Sequence, residues 1–315
     1  MLYYLISYLE QTYQPPGFQV IQFITVRAAL AAITALAIAL FVGRRIIRWL
    51  AAQQLGEQVR EGAGSGVVDH THKAGTPTMG GLIILLSLLG ATLLWGAIAE
   101  PYVWLIVVAT SWMGAVGFAD DYIKTVQKNK DGLAARYKIA GQVALGVLVG
   151  SMLYFLPAFQ EYHTLTYVPF LKNGRFDYDL FQHLGLGVDL GWLIYIPVAI
   201  FIITAVSNAV NITDGLDGLT TGVTAFVSLG LVALAYISGN INLATFLNVM
   251  YLPGTGELAV FGAAMAAACF GFLWYNGYPA SVFMGDTGAL ALGAAVGTLT
   301  LMVRKELLLP LLGIV

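Results

Sequence analysis

Long apolar stretches alternate with short polar segments along almost the whole chain. Each stretch is roughly 17–25 residues long, which is the length that a helix needs to cross the hydrocarbon core of a bilayer. They lie near residues 21–43, 77–98, 102–119, 138–157, 191–207, 219–238, 258–275 and 287–303, and a ninth begins at Leu307. The pattern predicts an all-α fold, a polytopic bundle of transmembrane helices, in which residues 1–315 form one integral membrane domain.

Three shorter segments follow other patterns. Residues 164–168 alternate polar and apolar side chains, and Asn173-Gly174 separates them from a second run at 175–178. Asn-Gly between alternating runs predicts a β-hairpin. Residues 240–251 are expected to form a short helix on the outer leaflet. The N-terminus is rich in tyrosine and lacks the features of a signal peptide, so we expect an interfacial helix there.

The composition supports a membrane protein. Of the 315 residues, 58% are hydrophobic and only 10% are charged, whereas soluble domains carry about 25% charged residues. The net charge of −2 averages over two membrane faces and is uninformative about partners. The single cysteine, Cys269, excludes an intrachain disulfide and is expected to be a small buried residue.

The basic residues predict the orientation of the bundle. With the N-terminus outside, four basic residues fall in outer segments, namely Lys172, Arg175, Arg304 and Lys305. Ten fall in inner segments: Arg44, Arg45, Arg48, Arg60, Lys73, Lys124, Lys128, Lys130, Arg136 and Lys138. Because inner loops are enriched in lysine and arginine, this asymmetry places the N-terminus outside.

Four polar clusters then fall on the inner side, between the predicted spans. They are Asp120-Asp121, the segment 208–218, Asn276, and Asp286 within residues 283–288. Polar groups at membrane depth are costly and usually functional. Since the charge asymmetry was not used to find these clusters, their common location predicts a site at the inner membrane face.

The first cluster, Asp120-Asp121, ends the third predicted span. Neighbouring residues on a helix point about 100° apart, so the two carboxylates are expected to have different roles. One could face a reacting group while the other holds a lysine or caps a turn. The alternative is a solvated helix end, although acidic residues are unfavourable beside a helix C-terminus.

The second cluster spaces Asn208, Asn211, Asp214 and Asp217 three residues apart. This spacing predicts one slowly drifting helical face. Amides together with carboxylates suit hydrogen bonding to a nucleobase and a sugar better than a bare metal cage. The alternative, a polar turn between two spans, explains one or two of these residues but not all four.

Asp286 precedes Thr287 and Gly288 at the start of the eighth predicted span. Aspartate is among the best helix N-caps, so capping is one interpretation. The other is a metal ligand, because Mg²⁺ takes one or two protein carboxylates together with substrate phosphates. One residue of the aspartate pair would complete such a site, and we take Asp120 as that second ligand.

Lysines near these clusters are candidates for phosphate binding. Lys73, Lys128 and Lys138 are the candidates that we select. Contact with lipid headgroups is the alternative for any one of them. His70 and His72 are interpreted as loop residues, since no further spacing signal marks them as metal ligands.

Several motifs occur in order along the chain. They are Gly75-Thr-Pro-Thr-Met-Gly-Gly81, Asp120-Asp-Tyr122, Asn208-Ala-Val-Asn-Ile-Thr-Asp-Gly-Leu-Asp-Gly-Leu219, Phe272-Leu-Trp-Tyr-Asn276 and Phe283-Met-Gly-Asp286. On these motifs the chain resembles the polyprenyl-phosphate glycosyl-1-phosphate transferases from its N-terminus to Val315. Within that family, the segments 76–81 and 273–276 resemble the muramoyl branch.

The resemblance implies a homodimer of about ten spans with both termini outside, in the bacterial inner membrane, and an active site on the cytoplasmic face. It implies Mg²⁺-dependent transfer of phospho-MurNAc-pentapeptide from UDP-MurNAc-pentapeptide to undecaprenyl phosphate, forming lipid I and UMP for peptidoglycan synthesis. No nucleic-acid partner is expected. Asp120 and Asp121 would act in catalysis and Asp286 at Mg²⁺, while residues near the nucleotide or sugar would be Lys73, Asn211, Asp214, Asp217, Asn276 and Phe283.

Members of the resembled family also carry a run of three histidines in the last cytoplasmic loop, followed by a final span. We expect the natural protein to continue past Val315 with these elements.

Two other functions compete with this prediction. The first is transfer of another N-acetylhexosamine phosphate, since such relatives share the aspartate pair and the Met-Gly-Asp motif. The second is ion-coupled transport, which also uses carboxylates inside the membrane. Transporters place these groups near the midplane in repeated halves, whereas here the aspartates lie at span ends and the halves show no repeat. The sequence leaves direct displacement and a two-step covalent route equally open.

Overall fold

A computed structural model describes residues 1–53, 75–129, 131–168, 171, 174–180 and 190–312. The helices are α1 (Leu2–Tyr13), α2 (Ile24–Ala52), α3 (Gly81–Trp95), α4 (Pro101–Thr125), α5 (Ala135–Phe155), α6 (Trp192–Thr213), α7 (Leu219–Gly239), α8 (Ile241–Phe246), α9 (Leu258–Asn276), α10 (Gly285–Met302) and α11 (Leu309–Leu312). The strands are β1 (Leu165–Tyr167) and β2 (Arg175–Asp177).

Each of the eight predicted complete spans contains one long helix, from α2 to α7 and then α9 and α10. Six of these helices are long and apolar enough to cross a membrane, and α3, with 15 residues, is a shorter apolar helix. The chain is therefore a multi-pass helical membrane protein, as the hydrophobic pattern predicts.

Two helices extend further toward the C-terminus than the hydrophobic pattern predicts. Helix α2 continues to Ala52, so Arg44, Arg45 and Arg48 lie on the helix and not in a loop. Helix α4 continues to Thr125, so Asp120 and Asp121 lie within it and not at its end. Hydropathy marks where a stretch stops being apolar, whereas a helix continues through polar residues when its backbone hydrogen bonds are kept.

The core of the bundle is built on α9 and α10. Helix α9 packs between α2 and α7, and α10 packs against both α4 and α6. Every residue of α10 from Thr287 to Met302 is buried. Alanine and glycine are frequent along this helix, and small residues let helix backbones approach closely inside a membrane. Helix α10 is therefore the central element on which the neighbouring helices converge.

The hairpin, the short helix and the N-terminal helix are all observed. Strands β1 and β2 pair antiparallel, with Thr166 opposite Phe176. Helix α8 is capped by Asn240, whose side chain accepts from the backbone N–H groups of Asn242 and Leu243. Helix α1 has no buried residue, which agrees with an interfacial position.

Charged residues are buried where α10 ends beneath the hairpin. The guanidinium of Arg304 donates to Tyr195 Oη over 2.5 Å, and Tyr178 Oη donates to Glu306 over 3.0 Å. The Lys305 ammonium lies 3.6 Å from the centre of the Tyr167 ring. Because α10 has 18 residues, this cluster is about 27 Å from Asp286 along the helix axis.

Candidate functional site

Helices α4 and α10 meet closely at the point where the aspartates lie. A Cβ atom added to Gly117 would lie 2.2 Å from the backbone oxygen of Asp286, far inside van der Waals contact. Only glycine at position 117 allows the two backbones to approach this closely. Asp120 and Asp121, one turn further along α4, therefore lie beside the first turn of α10.

Asp121 caps α10 from the neighbouring helix. Its carboxylate accepts from the backbone N–H of Asp286 over 3.1 Å and from the backbone N–H of Thr287 over 2.8 Å. The hydroxyl of Thr287 donates to the same carboxylate over 2.6 Å. The first turn of a helix has N–H groups without intrahelical partners, and an acidic side chain satisfies them best. The alternative interpretation, in which Asp286 caps its own helix, is not what the structure shows, because the side chain of Asp121 accepts from the first turn instead.

Asp120 points away from this cap. Its two oxygens contact Lys124 over 2.5 Å and Lys138 over 3.0 Å, and it also accepts from the backbone N–H of Leu133 over 2.7 Å. Asp120 is fully buried. The predicted divergence of the two carboxylates is thus observed, with one directed to a helix end and the other to two lysines.

Asp286 lies on the same side as Asp120 and shares both of its lysines. Its carboxylate contacts Lys138 over 2.5 Å and Lys124 over 3.3 Å. Lys138, one of the selected lysines, thus lies between two of the aspartates, and its role in phosphate binding stays a prediction. Lys124 was not among the selected lysines, although its spacing of four residues from Asp120 on one helix would have indicated the pair.

The three carboxylates can share a metal ion. One oxygen from each of Asp120, Asp121 and Asp286 lies within 4.8 Å of the others. Opposite ligands of an octahedral Mg²⁺ ion are about 4.2 Å apart, so small side-chain movements suffice to coordinate it. Hard oxygen donors in a partly buried acidic cluster suit Mg²⁺ or Mn²⁺ better than softer metals.

The glycine-rich segment before α3 supports the site through its backbone. Phe283 N–H donates to Pro77 O over 2.9 Å, Gly80 N–H to Phe283 O over 2.8 Å, and Gly81 N–H to Met284 O over 2.8 Å. Sequence reasoning missed this pairing, because nothing local indicates which distant segment will lie beside residues 77–81. The pairing fixes the strand-like segment that leads directly into Asp286.

The predicted helical face formed by residues 208–217 was wrong in its second half. Helix α6 ends at Thr213, so Asn208 and Asn211 lie on the helix while Asp214 and Asp217 lie beyond it. Two glycines within residues 214–218 favour a turn there. Asn208 donates to Gln142 Oε1 over 3.1 Å, and this contact joins α6 to α5.

Asn276 and Asp217 join two loops at this end of the bundle. Asn276 Oδ1 accepts from Gly218 N–H over 3.1 Å and from the Thr221 hydroxyl over 3.0 Å, while its amide donates to Val282 O over 3.0 Å. Asp217 accepts from Ala280 N–H over 3.2 Å. Asn276 is 3% exposed, and its hydrogen bonds connect the segment after α6 with the loop that leads to Asp286.

The other candidate site residues that the structure describes differ in their exposure to solvent. Phe283, Asn211 and Asp214 are half-buried. Lys128 is exposed in the segment after α4, and within the described part of the chain it makes no ion pair with the three aspartates. Lys73, His70 and His72 lie outside the described residues.

Comparison with known proteins identifies the class. Residues 103–304 match the model of glycosyl transferase family 4. Residues 73–85 match the phospho-N-acetylmuramoyl-pentapeptide-transferase signature 1. The chain is a member of glycosyl transferase family 4, and it is an enzyme of the phospho-sugar transferase class.

Proteins with similar sequences identify the group within this class to which the chain belongs. The chain is 75% identical to the phospho-N-acetylmuramoyl-pentapeptide-transferase of Salinibacter ruber, over 100% of this chain and 82% of that protein. It is 51% identical to the protein of the same name from Chloroherpeton thalassium, over 99% of this chain and 80% of that protein. The relative of that name from Flavobacterium johnsoniae is 45% identical, over 99% of this chain and 82% of that protein. Within its class the chain belongs to this group of transferases, which confirms the resemblance inferred from the motifs.

Proposed function

We propose that the chain transfers phospho-MurNAc-pentapeptide from UDP-MurNAc-pentapeptide to undecaprenyl phosphate, forming lipid I and UMP. The observation that supports this most directly is the convergence of Asp120, Asp121 and Asp286 with Lys124 and Lys138 at one end of the bundle. Transfer of a phospho-sugar depends mainly on positioning and on neutralising charge, and this set of side chains can supply both.

Asp286 and Asp120 would hold Mg²⁺, since both present carboxylate oxygens on the side of the cluster that faces the two lysines. The ion, when bound, would neutralise the charge of the pyrophosphate. Asp121 is the least available of the three carboxylates, because three donors from α10 already engage it. The donor set fits a divalent cation that also binds substrate phosphates.

Lys124 and Lys138 would bind phosphate oxygens. Each ammonium has three donors, and each contacts two carboxylates here. The side chain of Lys124 is 36% exposed and that of Lys138 is 19% exposed, so a substrate can reach both. They would orient the pyrophosphate against the acidic cluster.

Asp120 is better placed than Asp121 to act as the base or the nucleophile in the reaction. In the direct route, Asp120 would accept the proton of the lipid phosphate while an oxygen of that phosphate attacks the phosphorus that carries the sugar, and UMP leaves. In the two-step route, an aspartate would attack that phosphorus first and UMP would leave, after which the lipid phosphate would displace the carboxylate and take the phospho-sugar. We favour Asp120 for either role, because its carboxylate is held by side chains and not by the end of α10.

The nucleotide and sugar would bind at the loops joined by Asn276. Asp217 contacts one of these loops through Ala280, and Asn208, Asn211 and Asp214 would add hydrogen-bonding groups from α6 and the turn that follows it. The half-buried ring of Phe283 offers a face for stacking on a base. Lys73 and Lys128 would add positive charge toward the phosphates.

An apolar cavity of about 460 Å³ offers a place for the polyprenyl chain. It lies between α6, α7 and α10, and its lining extends from Thr213 and Thr220 to Glu306 and Leu307. The first two residues belong to the end of the bundle that carries the aspartates. A lipid bound there would place its phosphate near the acidic cluster.

The site would face the cytoplasm, since UDP-linked substrates are cytoplasmic and the distribution of basic residues supports an inner location for this end of the bundle. We also propose that the enzyme acts as a homodimer in the inner membrane.

The experiment that tests this function is release of radiolabelled UMP from UDP-MurNAc-pentapeptide by the purified protein in detergent. Release should require both undecaprenyl phosphate and Mg²⁺, and lipid I should accumulate in equal amount. UDP-N-acetylglucosamine is the matched control. Faster turnover of the control substrate would move the assignment to another N-acetylhexosamine phosphate transferase.

A further inference from the structure

The first turn of α10 lacks a side-chain cap from its own chain segment. Met284 occupies the N-cap position and provides no capping oxygen, and Gly285 adopts φ +73°. A Cβ atom at Gly285 would lie 2.6 Å from Asp121 Oδ2, so only glycine leaves room for that carboxylate. The start of α10 is thus shaped to accept an acidic side chain from α4.

The contacts at this helix start are sequestered from water. Asp121 is 3% exposed and Thr287 is fully buried. Thr287 contributes two of the three hydrogen bonds to Asp121, one from its backbone and one from its hydroxyl. Since buried polar groups have no solvent to replace a lost partner, each of these bonds holds the orientation of the helix end.

We propose that Asp121 and Thr287 form a positioning pair that holds the carboxylate of Asp286 in place for the metal ion. Asp286 lies between Gly285 and Thr287 in sequence, and its own backbone N–H donates to Asp121. Holding the backbone on both sides of Asp286 fixes the direction of its Cα–Cβ bond, and this limits the positions that its carboxylate can take beside Lys138, which also contacts Asp120. This inference rests on the proposed function only in taking Asp286 as a ligand of the metal.

The pair assigns a role to Thr287 that its residue type alone does not suggest. Its hydroxyl would touch neither metal nor substrate and would act through Asp121 and Asp286. Groups that orient metal ligands typically change metal affinity by about 10–100-fold when removed. A purely structural threonine would instead change stability and leave the metal affinity of the folded protein unaltered.

The chain offers a matched pair of variants for the test. Thr287→Ser keeps the hydroxyl and loses a methyl group, whereas Thr287→Val keeps the shape and loses the hydroxyl. The probe is Mn²⁺, whose binding to the detergent-solubilised protein is followed by electron paramagnetic resonance without any turnover. The Mg²⁺ concentration for half-maximal UMP release and the KM for UDP-MurNAc-pentapeptide are measured alongside.

We expect Thr287→Ser to bind Mn²⁺ within about twofold of the parent and Thr287→Val to bind at least about tenfold more weakly. The half-maximal Mg²⁺ concentration should rise by a similar factor in Thr287→Val, with the KM for the nucleotide substrate nearly unchanged. Equal Mn²⁺ affinity of the valine and serine variants would overturn the proposal. If Thr287→Val does not fold, Thr287→Ala, which also lacks the hydroxyl, is compared with Thr287→Ser instead.

The measurements distinguish a failure of the proposed function from a failure of the positioning role of Asp121 and Thr287. A parent protein that binds Mn²⁺ but makes no lipid I would contradict the proposed function and leave the positioning pair testable by binding alone. A parent that makes lipid I, with a valine variant that keeps full Mn²⁺ affinity, would remove only the positioning role. A folded parent that binds no Mn²⁺ would overturn the positioning role directly.

Discussion

At the scale of single residues, the two neighbouring aspartates illustrate how one residue type serves two purposes. Asp120 forms ion pairs with two lysines, and Asp121 accepts from the open end of another helix. Their directions differ because they are adjacent on one helix. What each carboxylate does is therefore set by the elements that lie on either side of α4.

Asp286→Asn is expected to lose activity without losing the fold. The amide cannot replace the negative charge next to Lys124, Lys138 and the metal, and loss of a main electrostatic contact lowers the rate by about 10²–10³. The cap of α10 stays intact because Asp121 provides it. UMP release and the thermal midpoint of the purified variant measure the two effects.

The matched control for this prediction is Asp121→Asn, which should lower both activity and the thermal midpoint. If Asp286→Asn keeps most of the activity with unchanged Mg²⁺ dependence, Asp286 is not a metal ligand.

Sequence reasoning at this scale selected Asp120, Asp121 and Asp286, which the structure brings together, but it did not predict the contacts that support them. The four clusters were visible because carboxylates and amides stand out against apolar surroundings. The pairing of Asp121 with Thr287 joins residues 166 positions apart, and it depends on which helices pack together. The contacts of Asn276 with Gly218, Thr221 and Val282 were likewise not predictable, since its partners cannot be read from its neighbours in sequence, and its role in substrate binding stays a prediction.

At the scale of elements, the crossing of α4 and α10 determines whether the site exists. The contact at Gly117 brings the backbones together, and the segment 77–81 pairs with Phe283 and Met284 from the other side. Hydrophobic periodicity predicts each helix but carries no information about which pairs cross at glycine. The elements were therefore predictable and their crossing was not.

Gly117→Ala is expected to separate α4 from α10. The added methyl group would lie 2.2 Å from Asp286 O, so one backbone must move. Overpacking of this kind typically costs about 1–3 kcal/mol of stability, and here the displacement also moves Asp286 away from Asp120. Both the thermal midpoint and UMP release should fall.

Gly230→Ala is the control for this substitution, since nothing lies within 4 Å of an added Cβ at that helical position. It should leave both quantities unchanged or slightly raise stability, because alanine favours helix. Equal behaviour of the two variants would show that the crossing tolerates a side chain.

Lys305→Met is expected to stabilise the end of the bundle beneath the hairpin. Lys305 is 2% exposed, and its ammonium has no hydrogen-bond acceptor among the described residues. Burial lowers the pKa of Lys305 to about 8, so at about pH 7 the folded state holds a disfavoured charge. Methionine removes that penalty, which is on the order of 1–3 kcal/mol after the attraction to the Tyr167 ring is subtracted.

The pH dependence of this effect has a definite sign. Because the folded pKa lies below the unfolded value, the parent gains stability as the pH rises from about 8 toward 10.5. The advantage of Lys305→Met should therefore shrink over that range. Thermal midpoints at about pH 7 and pH 9.5 measure it, with the exposed Lys128→Met as control. A lower midpoint for Lys305→Met at about pH 7 would contradict the burial penalty.

At the scale of the whole molecule, the bundle separates two polar regions at opposite ends of a buried α10. One end holds three aspartates and two lysines, and the other holds Arg304, Lys305 and Glu306 beneath the hairpin. The helical membrane bundle and the hairpin followed from the sequence, since both depend on patterns over neighbouring residues, whereas the number of membrane crossings stays a prediction. The orientation in the membrane follows from the distribution of basic residues and remains a prediction.

Cysteine labelling tests that orientation. A cysteine at exposed Gln127 should react only with a reagent added to the cytoplasmic side, and one at exposed Asn242 only from outside. The native Cys269 is fully buried and provides a low background. The reverse pattern would place the proposed site on the outer face and exclude a cytoplasmic UDP-linked substrate.

The dependence of α10 on Asp121 also has a consequence for the time course of biosynthesis. The backbone groups that Asp121 holds come 165 and 166 residues later in the chain. At a synthesis rate of about 5–20 residues per second, roughly 8–33 s pass between the translation of Asp121 and that of its partners. During that interval α4 carries two aspartates into the membrane with only its own lysine and α5 to neutralise them. The cluster of three aspartates therefore cannot assemble before α10 is made, and slowing the ribosome between α5 and α10 should prolong the period in which the nascent chain is vulnerable to membrane proteases.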